Sequence, residues 1–96
     1  MGRGVGMMHT YEFTTVNAIR DDGKTVRVDA YVVRYGENKG KGLEAFLHDY
    51  QAMIFVNYLN GGSVPRVGLE TFLSGARKNF NWLINSDEAK VVAETR

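Results

Sequence analysis

The chain has 96 residues, 44% of them hydrophobic and 24% charged, a size that supports one core but not two and a balance that excludes intrinsic disorder. Twelve Lys and Arg against eleven Asp and Glu leave a formal charge of +1, so no whole-molecule field draws it to nucleic acid or to an anionic membrane. Cysteine is absent, which excludes disulfides, thiolate metal sites and a cysteine nucleophile together.

Residues 1–8 read as a flexible leader, with Met7 or Met8 as an alternative start, and residues 9–96 as a single domain. Gly2 begins a myristoylation pattern, but Gly6 stands where Ser or Thr is required. No run approaches the roughly 18 apolar residues that span a bilayer, and the N-terminus lacks the apolar segment of a signal peptide. A cytoplasmic location without membrane contact is the expectation.

From residue 9 to 19, Tyr11, Phe13, Thr15, Asn17 and Ile19 alternate with Thr10, Glu12, Thr14, Val16 and Ala18. That period of two, rich in aromatic and β-branched types, predicts a strand. Asp21-Asp22-Gly23 supplies a turn, and Val26, Val28, Ala30 and Val32 then alternate with Arg27, Asp29 and Tyr31, completing a β-hairpin. At Val32-Val33 the alternation becomes ambiguous, which predicts either a bulge or cover on both faces. A two-stranded ribbon is marginal by itself, so other elements must cover it.

The Gly-rich stretch 36–42 connects to a first helix predicted over residues 43–59, where Leu43, Phe46, Leu47, Tyr50, Met53 and Ile54 fall at helical spacing. Residues 53–59 are apolar almost all round. A helix buried on more than one side, or against a second copy, explains this, although the same seven residues read in isolation as a strand. Asn60-Gly61-Gly62 ends the helix, and Ser63 with Pro65 marks the restart of a second helix reaching Ile84. Gly42-Leu-Glu-Ala-Phe-Leu47 is answered by Gly68-Leu-Glu-Thr-Phe-Leu73, which predicts two helices that begin alike, each with apolar residues at i, i+3 and i+4. Ser86 followed by Asp87 and Glu88 opens a short C-terminal helix, or else the tail frays.

The motifs that carry chemistry are few. Gly36, Gly40 and Gly42 with Lys39 and Lys41 resemble a phosphate loop only loosely, because three residues separate the first two glycines and Gly42 replaces the magnesium-binding hydroxyl. Generic anion contact at a helix start is the stronger form of that reading, and a solvated loop the plainer one. His9 and His48 lie on separate elements with no carboxylates at ligand spacing. Neither a cofactor nor a metal is implied, and no nucleophile with its base is visible.

Six basic residues, Arg20, Lys24, Arg27, Arg34, Lys39 and Lys41, interleave with Tyr31 and Tyr35, a pattern able to grip phosphates and stack bases. Asp21, Asp22, Asp29 and Glu37 lie in the same stretch and offset most of that charge. Candidate nucleic-acid or anion contacts are therefore Arg27, Arg34, Tyr35, Lys39 and Lys41. Eleven aromatic residues exceed what a ribbon and two helices hide easily, so some should lie at a protein interface. Phe55, Tyr58 and Trp82 are the candidates.

The expected architecture is α+β, a β-hairpin on a helical hairpin. The expected function is non-catalytic: a small protein-binding or regulatory protein that docks on another protein, of the accessory or inhibitor type that phages and other viruses also use. A homodimer is expected, through the apolar helix or an exposed sheet edge. Binding to nucleic acid through the basic hairpin is the alternative.

Overall fold

The computed structural model describes residues 8–35 and 42–94, with side chains as far as residue 92. Residues 1–7 and 36–41, which hold most of the expected leader and the Gly/Lys loop, lie outside the described residues. The elements are β1 (Tyr11–Ile19), β2 (Lys24–Tyr35), β3 (Gly42–Phe46), α1 (Asp49–Leu59), α2 (Leu69–Ile84) and β4 (Lys90–Glu94). The fold is α+β, as expected. Its extents of 50 × 28 × 19 Å and radius of gyration of 14.7 Å make it elongated, since a compact chain of this length would have a radius near 12–13 Å, roughly.

β1 and β2 form the expected antiparallel hairpin, paired from Tyr11 with Val33 to Ile19 with Thr25. At its turn Gly23 N–H donates to the Arg20 carbonyl at 2.9 Å and Arg20 N–H to the Lys24 carbonyl at 2.8 Å. Gly23 has φ +86°, the left-handed conformation that glycine adopts without steric cost. Asp22 fixes the turn by accepting from Lys24 N–H at 3.1 Å and from the Arg20 guanidinium at 2.9 Å. Asp21 N–H then reaches Asn85 Oδ1 at 3.2 Å, which ties the hairpin tip to the end of α2.

β2 is the central strand of a four-stranded sheet. Its second edge is shared: residues Tyr31 to Tyr35 pair with β3, and Lys24 to Arg27 pair with β4. Near the turn, Val26 and Val28 pack with Leu83, Ile84 and Ala89; at the other end Val33 packs with Phe46, Phe55 and Ala76. Alternate residues face opposite sides of a strand, so the covered side changes along the ribbon as it twists. Val32 and Val33 are both buried where this happens. Pairing with β1 and β3 is unbroken there, so cover on both faces explains the ambiguity and a bulge does not. The one register shift lies between Thr25 and Val26, on the β4 side.

Three helical expectations are corrected. The first six residues of the expected first helix form β3 and its exit, because the open edge of β2 offers them a hydrogen-bonded ladder; α1 starts only at Asp49. His48 precedes it as N-cap, and its N–H donates to Gln51 Oε1 at 3.3 Å, one half of a reciprocal cap. The expected C-terminal helix is instead β4, which completes the edge of β2 beside the turn.

The stop after α1 is as expected. Gly61 N–H donates to the Tyr58 carbonyl at 3.1 Å and Gly62 N–H to the Asn57 carbonyl at 2.8 Å, with Gly61 at φ +96°, the Schellman arrangement that satisfies the last carbonyls of a helix. Helix α2 begins at Leu69 after Gly68 rather than at Ser63, so residues 63–67 remain a connection.

The hexapeptide therefore folds twice, differently. In β3, Glu44 and Phe46 share the buried side; in α2, Leu69, Phe72 and Leu73 pack inward while Glu70 is exposed. Burial of Glu44 requires a partner. Arg77 provides it with a two-pronged contact, Nε to Oε2 at 2.8 Å and a terminal nitrogen to Oε1 at 3.0 Å, which also holds the Arg77 pKa above its usual value. The Glu44 side chain is 8% exposed and that of Arg77 60%. Further ties hold the helices: Tyr11 of β1 donates its hydroxyl to Asp49 of α1 at 2.5 Å, which raises the phenol's pKa, and Gln51 Nε2 of α1 donates to Asn79 Oδ1 of α2 at 2.8 Å.

The asymmetric exposure of the ion pair sets the expected mutational outcome. Arg77→Ala strands a buried carboxylate and should cost on the order of 1–3 kcal/mol. Glu44→Leu leaves an Arg that water can solvate and should cost less, or stabilise. Urea unfolding of the two variants checks the order, and equal losses would contradict it. The turn makes a pH prediction. The Lys24 N–H, followed by the charges of Arg20 and Lys24, holds the Asp22 carboxyl below its ordinary value of 3.8. A depressed folded pKa contributes stability above the unfolded pKa and loses it as pH falls through the folded one. Asp22→Asn should therefore flatten the decline of the thermal midpoint below about pH 4, and an unchanged slope would show that the turn does not carry it.

Candidate functional site

The structure separates the three predicted interface aromatics. Phe55 is 3% exposed and lies in the core, its ring 5.3 Å from Tyr35 and 5.6 Å from Phe46. As an interface residue it is corrected: it offers no surface, because α1 turns this side of its second half toward β2 and β3. Tyr58 is half-buried, stacked at 6.4 Å on Phe55. Trp82 stands 60% exposed on the outer side of α2, ten residues beyond Phe72, or roughly 15 Å along the axis at 1.5 Å per residue.

A different surface gathers several of the exposed apolar side chains beside partly buried ones. Met53 and Ile54 on the outer side of α1, Val64, Pro65 and Val67 of the connection, and Phe72 of α2 line a groove of about 600 Å³. Met53, Val64 and Val67 are each more than half exposed. Asn57, Ser63 and Arg66 supply its polar atoms. Among the described residues no carboxylate lines it, and the Arg66 guanidinium is the formal charge they bring to it. Two local features build it: the Schellman stop turns the chain sharply at Gly61, and Pro65 with the Gly68 N–H to Pro65 carbonyl bond of 2.8 Å folds the connection back over α1. The sequence signal was the all-round apolar character of residues 53–59. Its outward half faces this groove and its inward half faces the core, and no periodicity within the helix says which half remains open.

The predicted nucleic-acid contacts are not brought together. Arg27 and Arg34 are both exposed, but they lie seven residues apart on β2, an odd spacing that sends them to opposite faces about 23 Å apart. Tyr35 packs edge-on against Phe55, and Tyr31 lies against Phe13 at 4.7 Å and Tyr11 at 6.1 Å. Lys39 and Lys41 lie outside the described residues. Arg34 instead joins His9, Glu12 and Val32 around a shallow depression of about 290 Å³.

Among the described residues there is no cluster of three or more His, Asp or Glu placed to hold a metal ion. His48 stacks on Tyr50 at 5.4 Å. The His9 backbone is clamped by Asn60, which accepts from its N–H at 2.7 Å and donates to its carbonyl at 3.0 Å. No helix of the described residues is long and apolar enough to cross a membrane. No family model matches the chain, and comparisons with curated proteins and with solved structures likewise find no match.

Core and surface aromatics should separate cleanly in thermal unfolding. Phe55→Ala is expected to cost about 3–5 kcal/mol as a cavity mutation, whereas Trp82→Ala should stay within about 0.5 kcal/mol of wild type. A comparable loss at both would contradict the placement of Trp82 outside the core.

Proposed function

We propose that this chain is a non-catalytic docking protein, of the accessory or inhibitor type, and that the groove between α1 and the 63–67 connection receives an apolar segment of another protein. The observation that carries this reading is the concentration of exposed Met53, Ile54, Val64 and Val67 in one concave surface. Apolar side chains in a contiguous patch, unlike scattered ones, mark binding surfaces. Methionine suits such a groove because its unbranched side chain adapts to different occupants. The partner segment that fits carries apolar side chains at the spacing of an amphipathic helix, which is the standard occupant of a groove beside a helix, and an acidic residue near Arg66.

Association driven by apolar area depends little on salt, whereas phosphate contacts weaken steeply with it. The doubly substituted chain Val64→Asp with Val67→Asp should unfold at the wild-type midpoint, since both residues are exposed, and should lose at least tenfold in affinity for any protein captured by the wild type at 0.5 M salt, which is more than about 1.4 kcal/mol. Undiminished affinity in that variant would remove the groove from the reading.

A further inference from the structure

The outer edge of β1 is the second unpartnered feature of this fold. Along β1 the pairing with β2 follows a fixed register in which paired residue numbers sum to 44, as in Val16 with Val28, and Arg20 N–H donates to the Lys24 carbonyl in that same register. Hydrogen-bonded and non-hydrogen-bonded pairs alternate in an antiparallel ladder, so the even-numbered residues of β1 bond to β2. The backbone N–H and C=O groups of Tyr11, Phe13, Thr15, Asn17 and Ile19 therefore point away from the sheet. Among the described residues no hydrogen bond reaches these groups; the nearest such contact is the Asn60 clamp on His9, which ends the open edge on that side.

An open edge nine residues long is normally blunted by proline, lysine, a bulge or an inward charge. β1 has none of these, and Glu12 is its one charged residue. It also presents Phe13 at 59% and Ile19 at 64% exposure, two large apolar side chains on the same face of the strand.

We propose that β1 pairs antiparallel with β1 of a second copy of this chain, across a two-fold axis at Val16, joining two sheets into one. This register is self-complementary in each of its terms. Phe13 lies opposite the partner's Ile19 twice, Thr15 opposite the partner's Asn17 twice, and Val16 opposite its own counterpart. Glu12 lies opposite the partner's Arg20 twice, an acid facing a base at both ends of the paired stretch. The odd-numbered pairs take up the outward N–H and C=O groups, and His9, held by Asn60, stays outside the ladder. Shifting the axis to Thr15 would oppose Phe13 to Asn17 and Ile19 to Tyr11, and would leave Glu12 facing Ala18.

Light scattering tests the dimer, and cysteine cross-linking tests its register. The full chain should have twice its 10.8 kDa mass at high micromolar concentration. Phe13→Lys should lower it to the monomer mass, as should Thr15→Pro, whose lost N–H is one that β2 does not use; circular dichroism identifies a variant that is merely unfolded, and Phe13→Lys retains the test if the proline variant is. Because the chain has no cysteine, Val16→Cys should form a disulfide-linked dimer on mild oxidation, the two Cα atoms being about 4.5 Å apart in a non-hydrogen-bonded pair. Thr14→Cys should not, since its counterpart would be about 13 Å away. A monomeric wild-type chain, a dimer that survives Phe13→Lys, or cross-linking at residue 14 as efficient as at residue 16 would each overturn the proposal. The groove variant Val64→Asp with Val67→Asp should dimerise normally, and loss of the dimer there would place the contact on the helices instead.

Discussion

The fold depends on β2 being paired along both edges. Its twelve residues contain neither Gly nor Pro, and nine of them lie in register opposite β1 on one side while the two ends of its other side receive β3 and β4. A strand so enclosed is a rigid axis. Each later element is placed by it: β3 is held in register against Tyr31 to Tyr35, which fixes where α1 can begin, and β4 returns to the turn end after α2 has crossed the sheet. The twist of this strand also explains why one short chain has two separate apolar clusters, one against the end of α2 and one against α1.

The same arrangement creates the polar tie between sheet and helix. Once β3 pairs with β2, Glu44 lies opposite Val33 on the covered side, and a carboxylate there is costly unless it is fully hydrogen-bonded. Arg77 meets that need from one turn of α2 whose other inward residue is Ala76, small enough to let the helix approach Phe46 closely. The charge is thereby a constraint on helix position more than a source of stability. Apolar neighbours alone would tolerate α2 sliding along the sheet; a bidentate contact of 2.8 and 3.0 Å does not.

An elongated molecule of this size has a high ratio of surface to core, and apolar side chains are exposed at the groove and along β1. The groove beside α1 is concave and contains one cation; the β1 edge is straight and offers backbone groups. Those shapes are the reason we propose different occupants, an amphipathic segment for the first and another strand for the second.

Residues 9–35 show how much of this was legible in the sequence. The alternation of Tyr11 to Ile19, the Asp-Asp-Gly turn and the Val26 to Val32 stripe specify the hairpin, because strand period and turn chemistry are local properties. The Asn60-Gly61-Gly62 stop and the stripe of α2 were legible for the same reason. The candidate site was much less so: of Phe55, Tyr58 and Trp82 only Trp82 is well exposed, and the groove uses Met53, Val64 and Val67 instead. What the sequence by itself determined was the set of segments able to form strand or helix. Only tertiary contact decided between them where both were open, as Gly42-Leu-Glu-Ala-Phe-Leu47 and Gly68-Leu-Glu-Thr-Phe-Leu73 demonstrate. Nearly identical residues became a strand in one place, where the edge of β2 supplied hydrogen-bond partners from a distant part of the chain, and a helix in the other, where each helical bond is made within the segment itself.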